Sequence, residues 1–237
     1  MTPPWRRLRS WFWAAVLPLC AGSAWAQQQT VPDTMAQRML ACAGCHGKEG
    51  RATNQGYFPR IAGKPAGYLY NQLVNFRDGR RGYPPMAYLV EHLSDAYLQE
   101  IASHFATLDL PYPPPQTRGA DPGLLRRGEA LALRGDAKRG IPACVACHGE
   151  TLTGALPAFP GLLGLPRDYV VSQFGSWRTG QRKARAPDCM AAITERLAPE
   201  DIQAVSTWLS SQPLPANTRP ATTMALPLPL DCGSGMK

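Results

Sequence analysis

Four cysteines and two histidines make the most chemically loaded pattern in this chain. They fall as Cys42-Ala43-Gly44-Cys45-His46 and, 102 residues further on, as Cys144-Val145-Ala146-Cys147-His148. Two thiols at this spacing can add to the two vinyl groups of one porphyrin, which brings the adjacent imidazole beneath the ring to bind iron. In an exported chain, C-x-x-C-H reads as a covalent haem c attachment site, and this chain opens like an exported one. Arg6, Arg7 and Arg9 precede an apolar run from Trp11 to Ala21, and Ala24-Trp25-Ala26 is a small-x-small cleavage site. The competing readings are weaker. A thioredoxin-like dithiol would follow a strand within a βαβ unit, and no β-branched strand precedes either motif. Structural zinc takes four ligands, whereas each motif offers three.

Iron held by one histidine still needs a sixth ligand if it is to carry electrons rather than bind substrate. Met86 lies 40 residues beyond His46 in Gly82-Tyr83-Pro84-Pro85-Met86, and Met190 lies 42 beyond His148 in Ala186-Pro187-Asp188-Cys189-Met190. Each is followed seven residues later by a leucine, Leu93 or Leu197, at the start of a helix. Most methionines are core filler, but paired positions in Pro-rich loops mark Met86 and Met190 as the axial ligands. Thioether ligation stabilises ferrous iron and raises the potential. Met39 sits too close to Cys42 to reach the distal face. His92 and His104 have no mate in the second copy and read as ordinary helix residues.

The elements that must position these groups are themselves duplicated. Phe58-Pro59-Arg60-Ile61-Ala62-Gly63-Lys64-Pro65 aligns with Phe159-Pro160-Gly161-Leu162-Leu163-Gly164-Leu165-Pro166 at an offset of 101. The same offset pairs Tyr68 with Tyr169, Gln72 with Gln173, Phe76 with Trp177, Gly79 with Gly180 and Arg81 with Arg182. Each copy reads as mostly helical. A first helix is capped at Asp33 and runs into Cys42, with its counterpart opening at Asp121-Pro122. Middle helices open at Pro65 and Pro166. Last helices start at Ser94-Asp95, with Leu98, Ile101, Ala102 and Phe105 on one stripe, and near Ala198-Pro199, with Ile202, Val205 and Leu209. The expected organisation is an export signal at 1–26, a first domain at 27–110, a stiff Pro-rich linker at 111–118, a second domain at 119–212 and a Pro-rich extension at 213–237.

Charge narrows the partners. The chain of 237 residues carries +8, and removal of the first 26 residues leaves 22 basic against 17 acidic side chains. Four haem propionates bring the holoprotein close to neutral, which argues against a nucleic-acid partner. Arg77, Arg80 and Arg81, and again Arg178, Arg182, Lys183 and Arg185, follow the middle helices. They are either a solvated loop or groups that neutralise propionates or guide an acidic redox partner. No run is long enough for a transmembrane helix, which needs about 20 residues, leaving at most peripheral contact with a membrane.

The two domains, Pro59-Arg60-Ile61-Ala62-Gly63-Lys64, the run from Gln72 to Arg80, Leu93-Ser94-Asp95 and Ile141-Pro142-Ala143-Cys144 with Cys147-His148-Gly149 resemble the dihaem cytochrome c4 family, over almost the whole exported chain to about Gln212. The resemblance implies an all-α protein of two tandem class I cytochrome c domains, each wrapped around one covalently bound haem c. It implies a periplasmic electron carrier in a respiratory chain. Its donor would be a membrane quinol-oxidising complex or a dehydrogenase, and its acceptor a terminal oxidase. Related dihaem cytochromes serve as subunits of periplasmic dehydrogenases, including those that oxidise sulfur compounds, and this is the alternative function. The extension departs from the pattern. Haem attachment uses four cysteines, so Cys189 and Cys232 remain, and an even remainder in an oxidising compartment favours a disulfide. A Cys189 thiolate on the second iron is the rival assignment.

Overall fold

A computed structural model describes residues 30–52, 57–116, 119–224 and 227–235. The export signal at 1–26 and the last two linker residues lie outside them. Ten helices can be followed: α1 (Met35–Arg38), α2 (Leu40–His46), α3 (Ala66–Arg77), α4 (Pro84–Val90), α5 (Asp95–Thr107), α6 (Pro122–Arg134), α7 (Val145–His148), α8 (Arg167–Arg178), α9 (Cys189–Arg196) and α10 (Pro199–Ser211). Among the described residues the strand content is one two-residue antiparallel ladder, β1 (Gly154–Ala155) on β2 (Phe159–Pro160). From Asp33 onward the chain gathers into one compact unit.

Each copy keeps an apolar core of its own. Leu69, Val74 and Phe76 of α3 meet Leu98, Ile101, Ala102 and Phe105 of α5 in the first. Tyr169, Val170 and Phe174 of α8 meet Leu131 and Ala132 of α6 and Ile202, Val205 and Leu209 of α10 in the second. The caps follow ordinary rules. Ser94 Oγ accepts from Tyr97 N–H, and Asp121 Oδ1 accepts from Leu124 N–H with Pro122 in the first turn. The α6–α10 crossing is close because Gly128 faces the backbone of Ala204 and the Cβ of Trp208.

Several expectations need correction. The first helix is capped by Thr34 rather than Asp33, because the Asp33 carboxylate pairs with Arg38, and the helix is interrupted at Met39 before α2 begins. Its counterpart α6 opens at Asp121-Pro122 as expected and ends at Gly135, a positive-φ position where a Cβ would run into the chain at Pro142–Ala143. The methionine segments are helical rather than loops. Met86 is in the first turn of α4, which opens on two prolines, and Met190 is in the first turn of α9, capped by Asp188. His92 lies in the turn after α4, almost fully exposed, and not in a helix.

The described part of the linker is pinned rather than free. Arg60 donates to the carbonyls of Leu110 and Pro111 and stacks on Tyr112, while Gln116 N–H reaches Ser210 O. The extension is equally built in. Ala221 bridges to β1, and Met224, Leu228 and Cys232 pack with Cys147, Ala155 and Phe159. Among the described residues, no helix is long and apolar enough to cross a membrane.

Candidate haem centres

Each attachment motif is presented by a short helix that ends on its histidine, followed by a glycine at positive φ, Gly47 or Gly149, that turns the chain sharply away. His46 and His148 are both 8% exposed. His46 Nδ1 lies 2.9 Å from Pro59 O, and His148 Nδ1 lies 2.7 Å from Pro160 O. A carbonyl can only accept, so Nδ1 carries the proton in both rings and Nε2 keeps its lone pair. That tautomer is the one an iron requires, and the carbonyl fixes the plane of the ring. Burial, the largest influence, pushes both imidazoles below their ordinary pKa and favours the neutral ring.

The structure brings the separate sequence signals into one place. A cavity of about 520 Å³ is lined by Cys42, His46 and Met86 of the first copy and by Cys144, His148 and Met190 of the second. Cys45 and Cys147 also border it. The four motif cysteines are free thiols in the structure. Burial pushes Cys42 and Cys147 up, and burial together with Cys147 pushes Cys144 up to about 12. A catalytic dithiol needs a lowered thiol pKa, and the shifts of Cys42, Cys144 and Cys147 run the other way. Among the described residues, no three His, Cys, Asp or Glu side chains converge on a metal-sized site.

Charge gives a second test of fit. Among the described residues, Arg38, Arg60, Lys64, Arg81, Arg182 and Lys183 line the cavity, against a single acidic residue, Asp188. Asp188 is already engaged by Ala184 N–H, Ala191 N–H and Trp177 Nε1. A carboxylate-bearing porphyrin supplies the negative charge this lining lacks.

Arg81 and Arg182 do not form a solvated loop. They meet in an antiparallel bridge across the two copies, in a network with twofold symmetry. Arg81 donates to Gln72 Oε1 at 2.8 Å and to Gln173 Oε1 at 2.7 Å, and Arg182 donates to Gln173 Oε1 at 2.7 Å and to Gln72 Oε1 at 3.1 Å. Arg81 also reaches Tyr169 Oη and lies over Phe76, while Arg182 lies over Trp177. Every partner in this network is neutral, so two like charges face the cavity without a carboxylate. Burial and the neighbouring Arg81 both lower the pKa of Arg182. Sequence pairing had marked all four residues, yet nothing in it showed that the two pairs would meet. Arg77 and Arg80 turn outward instead, to Asp78 and Asp95.

Cys189 and Cys232 are joined as a disulfide, so Cys189 is not available as a thiolate ligand. The disulfide sits beside Met190, and Gly233 N–H adds a bond to Pro187 O just ahead of α9. The tail also reaches the first copy, where Asn71 Nδ2 donates to Ser234 O.

Two helical domains that share a cavity lined by two matched thiol, histidine and thioether sets define a two-centre c-type cytochrome. No protein-family model matches the chain, but individual relatives do. The chain is 37% identical to a thiosulfate dehydrogenase electron acceptor of Thiomonas intermedia, over 73% of this chain and 79% of that one. It is 35% identical to cytochrome c4 of Pseudomonas aeruginosa, over 73% and 84%. Among solved structures, reduced cytochrome c4 from Pseudomonas stutzeri superposes with a TM-score of 0.62 at 29% identity, covering 73% of this chain and 94% of that one. A thiosulfate dehydrogenase from Marichromatium purpuratum superposes at 0.65 with 32% identity over 73% of this chain, which spans only 36% of that longer one. The chain belongs to the dihaem cytochrome c4 family, and it is a dihaem electron-transfer cytochrome.

Proposed function

We propose that the chain passes single electrons through two haem c centres in the periplasm. The first would be held by Cys42, Cys45, His46 and Met86, and the second by Cys144, Cys147, His148 and Met190. The observation that carries this assignment is the convergence of both matched sets on one cavity, with each histidine presenting Nε2. When bound, each haem supplies an iron that cycles between ferric and ferrous by one electron. The chain's own groups do the rest. Pro59 and Pro160 hold the imidazoles, α4 and α9 present the thioethers, and the cores exclude water. Arg81 and Arg182 offset propionate charge.

Export with cleavage after Ala26 fits the leader pattern and the oxidising compartment that a disulfide needs. The domain limits 27–110 and 119–212 fit the two cores. On the acceptor side, the family resemblance supports a terminal oxidase. On the donor side, a quinol-oxidising complex and a dehydrogenase both fit the family. The name of the relative from Thiomonas intermedia favours a dehydrogenase of a sulfur compound. Reduction of the ferric protein by thiosulfate in the presence of a thiosulfate dehydrogenase, and not by thiosulfate alone, supports that donor.

The ligand assignment is tested by redox titration and carbon monoxide binding. Wild type should hold two low-spin haems per chain that ignore carbon monoxide. Met86→Ala and Met190→Ala should each open one centre to it, lower one potential and remove about half of the methionine-to-ferric charge-transfer band. Carbon monoxide binding by wild type, or a band unchanged by either substitution, refutes the assignment.

A further inference from the structure

Two buried cations have no mate in the other copy, since Arg60 stands opposite Gly161 and Lys64 opposite Leu165, and Arg60 is held by the carbonyls of Ala62, Leu110 and Pro111. Lys64, at the entry to α3, is 3% exposed, and its Nζ donates at 2.7 Å to the carbonyl of Gly161 in the opposite half. Gly161 follows Pro160, the residue whose carbonyl holds Nδ1 of His148. The ammonium of the first copy is therefore seated one peptide unit from the group that orients the histidine of the second. The charged and titratable groups that face it are Arg60, from its own loop, and the His148 ring. Among the described residues, no carboxylate pairs with it.

The arrangement is one-sided. At the offset of 101 the mate of Lys64 is Leu165, so the second copy returns no cation to the His46 loop. His46 does feel Arg81, but Arg81 has its own mate in Arg182 at the symmetric bridge. Lys64 is the unmatched cation that reaches across to the other copy.

We infer that Lys64 is a potential-setting residue for the second haem centre, raising its potential. The inference rests on the two-haem assignment above. Reduction takes one electron from the redox partner and lowers the charge of the centre by one. A fixed positive charge in a dry setting therefore favours the reduced state of whichever centre it adjoins. Its effect on the equilibrium constant for reduction is on the order of tenfold, the size expected of a nearby unit charge at an effective dielectric of about 20. For a one-electron couple, tenfold corresponds to about 59 mV.

The test is a spectroelectrochemical titration of the intact holoprotein at pH 6, comparing wild type, Lys64→Met and Lys64→Arg. Burial and Arg60 push the Lys64 pKa down to about 7, so pH 6 keeps the ammonium charged. Lys64→Met should make reduction of one centre about tenfold less favourable and leave the other within twofold, and Lys64→Arg should restore most of the loss. Repeating the pair in a Met190→His background, which moves the second step far to lower potential, identifies the centre, because the remaining upper step should then ignore Lys64→Met. Equal shifts of both steps, a shift below twofold, or a Lys64→Arg protein that titrates like Lys64→Met overturn the role of Lys64. A single one-electron step in wild type overturns the two-haem assignment instead.

Discussion

Replacing Cys189 and Cys232 together by serine should loosen the second centre and spare the first. The disulfide closes a loop of 43 residues that contains α9 and α10. Cross-linking a loop of that length restricts the unfolded chain by about 4 kcal/mol. The bond also lies next to Met190, and the other tail contacts near it are few: Gly233 N–H to Pro187 O and Arg185 N–H to Ser234 Oγ. The loss should therefore fall on the second methionine bond. The assay is a guanidinium titration of the ferric holoprotein, with the methionine-to-ferric charge-transfer band reporting ligation and far-ultraviolet circular dichroism reporting helix. At a slope near 4 kcal/mol per molar, half of the band should disappear about 1 M earlier than in wild type, while the other half holds its midpoint. Loss of both halves together at the wild-type midpoint would show that the tail does not support the ligand helix.

Asp201→Asn should destabilise the second domain by about 2–3 kcal/mol in thermal or denaturant unfolding. The side chain is fully buried against Arg127 and Arg139 and accepts from Ala198 N–H, although both arginines reach solvent, which moderates the loss. Burial alone would raise the Asp201 pKa, but Arg139, the Ala198 N–H and Arg127 outweigh it and hold the carboxyl low. A depressed carboxyl pKa contributes stability that is complete above its unfolded value, about 3.9, and is lost as pH falls through the folded value, so the gap between wild type and variant should close in acid. Gly128→Ala should cost about 1–3 kcal/mol, because its Cβ would press on Ala204 and stand 2.6 Å from the Cβ of Trp208. Gly175→Ala, with nothing within 4 Å, should stabilise by up to about 1 kcal/mol in the same unfolding measurement.

Periodicity and repetition carried much of the architecture. Apolar stripes mark α5 and α10, prolines open α3 and α8, and an offset of 101 pairs the two copies. Contextual chemistry was harder to read. Asp33 and Thr34 are both good caps, and only the position of Arg38 decides between them. The helices under Met86 and Met190 were signalled by Pro84-Pro85 and by Asp188, but proline-rich composition suggested loops. Arg81, Arg182, Gln72 and Gln173 stood in plain sight as matched pairs. Their role depends on two copies meeting face to face, which no linear pattern reports. Lys64 is visible in the sequence only as a mismatch, a lysine opposite Leu165, and its reach to Gly161 depends on the two copies meeting.

The paired glutamines have a kinetic consequence. Gln72 and Gln173 each accept from both guanidiniums, so swinging one half against the other would break the bonds that cross, Arg81 to Gln173, Arg182 to Gln72 and Arg81 to Tyr169. Such a joint behaves as a weld rather than a hinge. The spacing between the two redox centres is then set when the chain folds, and the internal electron step waits on no domain motion of the kind that limits many enzymes. The pace of the whole relay passes to its ends, where donor and acceptor must find the surface and leave it again.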